Sequence, residues 1–206
     1  MLGIITAMPI EAREIVDYFH LKEKRHPRLK IYANQKIILT ISGVGKINAA
    51  IKTTDLLQSF LKIKNLLNYG WAGSLYDDLQ VGDLIFGSSV YQYDTYVPHK
   101  FKKNKLSEVI QLNYPDNFSL RSGKIMSGDR FVDSVIEREK LRQLGGLACD
   151  MECFSEAQAA RHFDSDFTSL KFISDLVSKE VFTVCKEKAK TPDLVFDIIA
   201  KLVSAA

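Results

Sequence analysis

Cysteine, histidine and tryptophan are scarce in this chain of 206 residues, and each scarcity closes off a chemistry. Cys149, Cys153 and Cys185 are odd in number and lack metal-ligand spacing. They read as reduced thiols, not as a disulfide framework or a zinc site. His20, His26, His99 and His162 are scattered and none ends an apolar run, so no histidine metal cluster is expected. No serine–histidine–aspartate set can be assembled by motif either. Excess charge is also missing: a formal net charge of +3 gives no reason to expect a nucleic-acid partner. No apolar run approaches the length that spans a bilayer, so no membrane partner is expected. The first residues lack the basic leader of a signal peptide, and the expected compartment is the cytoplasm. Repeats, low-complexity tracts and an obvious linker are absent, so one domain over residues 1–206 is expected. Its hydrophobic fraction of 46% is enough for a full core.

What is present is an alternation of short apolar runs with helical patterns. Residues 2–8 read as a strand buried on both faces. Pro9 stops it and suits the first turn of a helix, which places Glu11 at a strand-to-helix junction. Glu11 there could simply favour the helix dipole, or it could face a ligand, since open α/β sheets bind ligands at the carboxyl ends of their strands. Residues 29–32 and 36–41 read as two more strands. The second runs into Ser42-Gly43-Val44-Gly45-Lys46 and a helix, a corner whose free N–H groups can hold an anion or a hydroxyl. It is not a P-loop, because Thr40 and Ile47 stand where that motif needs glycine and a hydroxyl. Residues 64–69 read as a strand ending in a glycine turn, Gly70-Trp71-Ala72-Gly73-Ser74, in which the single tryptophan is out of scale with its neighbours. The lysine-rich run at 99–105 reads as a solvated loop or a flap over a pocket. Residues 133–144 read as a charged helix with Val135, Ile136 and Leu141 facing inward. After the flexible pair Gly145-Gly146 comes Asp150-Met151-Glu152. If this is a strand end, the two acids share one face and Met151 takes the other. A last strand at 167–173 leaves Ser174-Asp175 at its end, and Thr191-Pro192-Asp193 starts a final helix.

Glu11, Glu152 and Asp175 thus all stand at inferred strand ends, the edge that also collects the glycine-rich corners. Carboxyls brought together there can take different roles when burial separates their pKa values.

Met8-Pro9-Ile10-Glu11, Ser42-Gly43-Val44-Gly45-Lys46-Ile47-Asn48-Ala49-Ala50, Val81-Gly82-Asp83, Ser127-Gly128-Asp129, Asp150-Met151-Glu152 and Ile173-Ser174-Asp175 together resemble the nucleoside phosphorylase superfamily. Within it they are most similar to the 5′-methylthioadenosine/S-adenosylhomocysteine nucleosidases. The resemblance implies an α/β fold, a three-layer α/β/α sandwich around a twisted mixed sheet, with a homodimer as the usual assembly and no metal or organic cofactor. It implies a small-molecule nucleoside substrate and hydrolysis of its N-ribosidic bond to release adenine. Carried over by position, Glu11 is the base for the attacking water and Asp175 the acid for the purine N7, supported by Ser174. Glu152 accepts the ribose hydroxyls with Met151 against the sugar, and Phe131 and Val132 hold the base. Met8, Val44, Trp71 and Lys171 complete the implied substrate-binding set. Asp175 would have to carry its proton near neutral pH, which burial can arrange.

Two departures stand out. The nucleosidases usually carry serine at the position of Trp71 and arginine at that of Lys171, where lysine keeps the charge but loses the planar fork. A phosphorylase would need an anion site with arginines, and here a carboxylate, Glu11, stands in the first turn. Hydrolysis is therefore the expectation. A related nucleosidase with another 5′ group, resembling futalosine hydrolase, a phosphorylase, or a binding protein without catalysis are the alternatives. Asp150 receives no role from the sequence.

Overall fold

A computed structural model describes residues 1–95, 108–176 and 190–205. The first apolar run forms β1 (Leu2–Thr6), buried along its whole length. Pro9 opens α1 (Pro9–Tyr18), where its missing N–H costs nothing. Three strands follow, β2 (Lys22–Lys24), β3 (Ile31–Ala33) and β4 (Ile37–Ile41), joined antiparallel, with β4 returning parallel to β1. Then come α2 (Lys46–Ser59), β5 (Asn65–Ser74), β6 (Leu84–Gln92), β7 (Ile110–Gln111) and β8 (Arg121–Ser127). The chain continues through α3 (Val135–Gln143), β9 (Gly146–Asp150), α4 (Cys153–His162), β10 (Asp166–Asp175) and α5 (Asp193–Ala205).

All ten strands join one mixed sheet in the order β10-β6-β8-β9-β5-β1-β4-β3-β2, with β7 beside β6. The long strand β5 is its hinge. Over residues 65–68 it pairs with β1, and near its end Gly73 and Ser74 pair instead with β9, while β10 lies along its other edge. Because β10 also pairs with β6, the strands β5, β10, β6, β8 and β9 close into a ring.

Side chains alternate across the strands, so the sheet carries one apolar layer on each face. Ile4, Leu67 and Leu170 pack on one face with Ile15 of α1 and Ile198 of α5. Ile5, Leu66 and Ile173 pack on the other with Leu56 of α2 and Ala157 of α4. This is the expected three-layer α/β/α arrangement. Among the described residues, no helix is long and apolar enough to cross a membrane.

Some local expectations fail for identifiable reasons. Gly70 to Ser74 is not a turn but the second half of β5, which continues because β10 pairs with it as far as Gly73. Val135 and Ile136 do not face inward: they are 70% and 71% exposed, and only Leu141 of that helix is buried, against Met126 and Cys149. The strand β2 was missed because Lys22, Glu23 and Lys24 are all exposed and give no apolar alternation. The lysine-rich run at 99–105 and Cys185 lie outside the described residues.

The pair at 145–146 is split in function. Gly145 takes a left-handed φ of 80°, but Gly146 is the buried first residue of β9. A Cβ on Gly146 would collide with Met126 Cγ and lie 2.8 Å from Leu75 Cδ1 and 3.0 Å from the Leu141 carbonyl oxygen. Gly146→Ala should therefore destabilise the fold by about 1–3 kcal/mol, as overpacking does. Urea denaturation measures this, and an unchanged midpoint would show that the surrounding side chains yield freely.

Candidate active site

A cavity of about 300 Å³ opens where the ends of β1, β5, β9 and β10 meet the glycine corner after β4 and the segment after β8. Its wall is mainly apolar, with carboxyl groups set into it.

Glu11 lies in the first turn of α1, where the dipole and the free N–H groups favour an acid. Its carboxylate bridges two elements. Oε2 accepts the Met8 N–H at 2.8 Å, and Oε1 accepts the Trp71 N–H of β5 at 2.9 Å. The side chain fits because residue 70 is glycine: a Cβ there would sit 3.2 Å from Glu11 Oε1. Glu11 is 3% exposed. Burial raises its pKa above the ordinary carboxyl value, opposed by the Trp71 and Met8 N–H groups and by the charge of Lys171.

Glu152 stands at the start of α4, and its Oε1 accepts the Gly45 N–H at 2.7 Å. The next N–H of the same corner, that of Lys46, is taken by Asp129 Oδ1 at 2.6 Å. Asp129 is held in turn by Asp94, which accepts its N–H at 2.8 Å and pairs with the Lys46 ammonium at 2.6 Å. The corner that looks built for an external anion thus holds two of the protein's own carboxylates. Burial and the nearby Asp150 push the Glu152 pKa up to about 7, against the pull of the Gly45 N–H and Lys171.

The chain bends after Asp150, so Asp150 and Glu152 do not share a strand face. Asp150, Met151 and Glu152 all line the cavity, and the covered Asp150 side chain forms an ion pair with Lys171 Nζ at 2.7 Å. Asp150 Oδ2 also accepts the Cys153 N–H at 3.0 Å, which anchors the first turn of α4. One turn further along α4 lies Glu156, also fully buried. Its Oε2 accepts a hydrogen bond from Asn68 at 2.7 Å, and its Oε1 has no hydrogen-bond partner. Burial raises its pKa well above the ordinary value.

Ser174 and Asp175 end β10, and the Ser174 hydroxyl donates to Asp175 Oδ2 at 2.8 Å. Val132 is buried in the wall, whereas Val44 and Phe131 are each 46% exposed at its rim. Trp71 lines the wall and packs against Phe172, with ring centroids 6.4 Å apart. Every site residue expected from the sequence lines this cavity except Lys171. Lys171 is 1% exposed and is bound under the floor, because Asp150 offers it a desolvated counter-ion. It is therefore not among the residues that line the cavity, unlike the rest of the expected substrate-binding set. Arg130 and Cys149 line the cavity without any sequence signal, and Glu156 was overlooked. Its place four residues after Glu152, on the helix face that carries Cys153 and Ala160, was the signal available.

Comparison with known proteins gives a consistent picture. The family model described as the phosphorylase superfamily matches residues 1–201. The 5′-methylthioadenosine/S-adenosylhomocysteine nucleosidase of Staphylococcus aureus (strain JH9) is 31% identical, covering 92% of this chain and 93% of the relative. Among solved structures, the nucleosidase of that name from Helicobacter pylori superposes with a TM-score of 0.83 at 23% identity, covering 100% of this chain and 98% of the other. The futalosine hydrolase of Helicobacter pylori superposes at 0.81 and 23% identity, covering 98% and 97%.

The buried Glu156 generates a stability test. With its pKa raised, the folded chain keeps a proton that the unfolded chain releases. The resulting stability is complete below the unfolded pKa and is lost as the pH rises towards the folded one. Glu156→Gln imitates the protonated acid and removes that dependence. Relative to wild type it should gain roughly 1.4 kcal/mol of unfolding free energy per pH unit above about pH 5, until the folded-state pKa is passed. Urea unfolding at pH 5 and pH 8 measures the difference; parallel behaviour of the two proteins would mean that Glu156 is ionised in the fold.

Proposed function

This chain belongs to the phosphorylase superfamily, and from that premise we propose that it is a nucleosidase hydrolysing the N-ribosidic bond of 5′-methylthioadenosine or S-adenosylhomocysteine. The observation that carries the choice of hydrolysis is the occupied glycine corner. Its N–H groups already bind Glu152 and Asp129, and Glu11 takes those of Met8 and Trp71, so phosphate would meet carboxylates where it needs donors. A water molecule suits the same surroundings.

In this reading Glu11 accepts a proton as the water oxygen bonds to C1′ of the ribose. A raised pKa brings such a base closer to neutrality, where proton transfer is most effective. As the C1′–N9 bond breaks, its electron pair moves into the purine, and Asp175, oriented by Ser174, delivers a proton to N7. Glu152 accepts the ribose hydroxyls, and its negative charge opposes the positive charge that develops on the sugar. Met151 packs on the sugar, Phe131 stacks on the base, and Val132 offers its backbone groups. Met8, Val44 and Trp71 shape the wall around the 5′ substituent. The whole chain is read as one nucleoside phosphorylase-like domain, since strands from residue 2 to residue 175 share a single sheet. In this reading release of adenine from methylthioadenosine is a step of methionine salvage, and a cytoplasmic setting is supported by the unpaired Cys149 and Cys153.

The same reading makes the protein a homodimer. Val44, Ile47 and Ile51 on the corner and α2, and Phe131, Val135 and Ile136 on and before α3, are exposed apolar side chains. Their two segments are joined by the hydrogen bond from Lys46 to Asp129. A face of this kind beside a cavity mouth calls for an apolar partner, and a second copy offers one.

Chromatography of products from a nucleoside panel, with and without phosphate, tests the reaction. Adenine and free methylthioribose are expected regardless of phosphate; a sugar 1-phosphate would mean phosphorolysis, and no adenine would defeat the proposal. Preferred turnover of another 5′ group would favour a futalosine hydrolase-like specificity, which the comparable fold match and the bulk of Trp71 keep in view. Glu11→Gln should lower kcat by about 10²–10⁴-fold. For the assembly, Ile136→Asp should shift sedimentation from dimer to monomer, and an unchanged dimer would place the interface elsewhere.

A further inference from the structure

Lys171 lies on β10 beneath the cavity; it does not line the wall itself and meets it through Asp150. Titratable groups surround it from each element packed against it. Asp150 approaches from the end of β9, Glu152, Cys153 and Glu156 from the start of α4, and Glu11 from α1. Only Asp150 reaches ion-pair distance, at 2.7 Å, with both side chains sealed from solvent. The same Asp150 oxygen holds the Cys153 N–H at 3.0 Å, and its other oxygen has no hydrogen-bond partner. Glu152 sits in the chain between these two anchored residues. The pair therefore bears both on its backbone position and, beside burial, the Gly45 N–H and Glu11, on its carboxyl.

We propose that the buried Lys171–Asp150 pair is the positioning element for Glu152, fixing the turn into α4 and setting the charge of its carboxyl through two opposed fields. The ammonium favours the carboxylate and the aspartate disfavours it. Because the two partners are themselves paired, their effects on Glu152 oppose each other. Burial is the main cause that raises the Glu152 pKa to about 7, and the pair acts on top of it, Asp150 raising and Lys171 lowering the value. Breaking a buried pair from one side leaves an uncompensated charge, whereas removing both partners does not. The inference rests on Glu152 as the ribose-binding group and adds the origin of its charge. Lys171 and Asp150 act through Glu152 and not on the substrate.

Carboxyl carbon NMR of the ligand-free protein reads the titration of Glu152 without any turnover. Asp150→Asn should lower its midpoint and Lys171→Met should raise it, each by roughly one to two pH units. The double variant should return to within about half a unit of wild type, and Lys171→Arg should keep the wild-type value. The acid limb of kcat/KM should move in the same directions. Single variants that shift together, or not at all, would show that burial alone sets the charge and would overturn the proposal. Should Lys171→Met fail to fold, Asp150→Asn and the double variant decide it: lowered and near-native midpoints support the pair, two unmoved midpoints defeat it. Midpoints that move as stated in a protein releasing no adenine would support the pair and count against the nucleosidase reading alone.

Discussion

Burying carboxyl groups is the constraint on which the rest of this structure depends. Glu11, Asp150, Glu152 and Glu156 are all withdrawn from water around one buried ammonium, that of Lys171. Desolvating a carboxylate is costly unless donors replace the lost water. The fold meets this requirement in three ways. Main-chain N–H groups at helix starts and strand ends bind Glu11 and Glu152, a lysine binds Asp150, and Glu156, whose pKa burial raises well above the ordinary value, accepts a hydrogen bond from Asn68.

Those donors exist because the sheet brings loose ends of secondary structure to one place. The first turn of a helix has N–H groups without internal partners, and so does a strand edge where a neighbour departs. β5 supplies the second kind. It leaves β1 after residue 68 and meets β9 only at residue 73, and in the interval the Trp71 N–H is available to Glu11. The barrel-like closure of the five strands is thus tied directly to the carboxylate beside the cavity.

The same economy bears on the chemistry. A carboxylate that satisfies a glycine corner also fills it, so the corner does not present an empty anion cradle. The proposed division of labour among Glu11, Glu152 and Asp175 needs carboxyls in different environments. The structure supplies those environments: two main-chain donors for Glu11, one donor and an ion pair nearby for Glu152, a serine hydroxyl for Asp175.

Sequence pattern and local chemistry were enough for the layers, for the start of α1 at Pro9, and for the convergence of Glu11, Glu152 and Asp175 on one cavity. Each depends on short-range rules: apolar runs make buried strands, proline opens helices, and strand ends meet at one edge. The errors arose where the deciding partner is remote. Gly70 to Ser74 reads as a turn until β10 is laid beside it, and Val135 and Ile136 read as core until α3 is seen to bury only one narrow side. The pairing of Asp150 with Lys171 is silent in sequence because neither has a local reason to be charged and buried. Only the pairing of both β9 and β10 with β5, under α4, brings them to 2.7 Å, in an interior where each is tolerable because of the other. By itself the sequence determined which groups stand at the strand ends. Tertiary structure decided the surroundings of each, since the donors and counter-ions are contributed by distant segments.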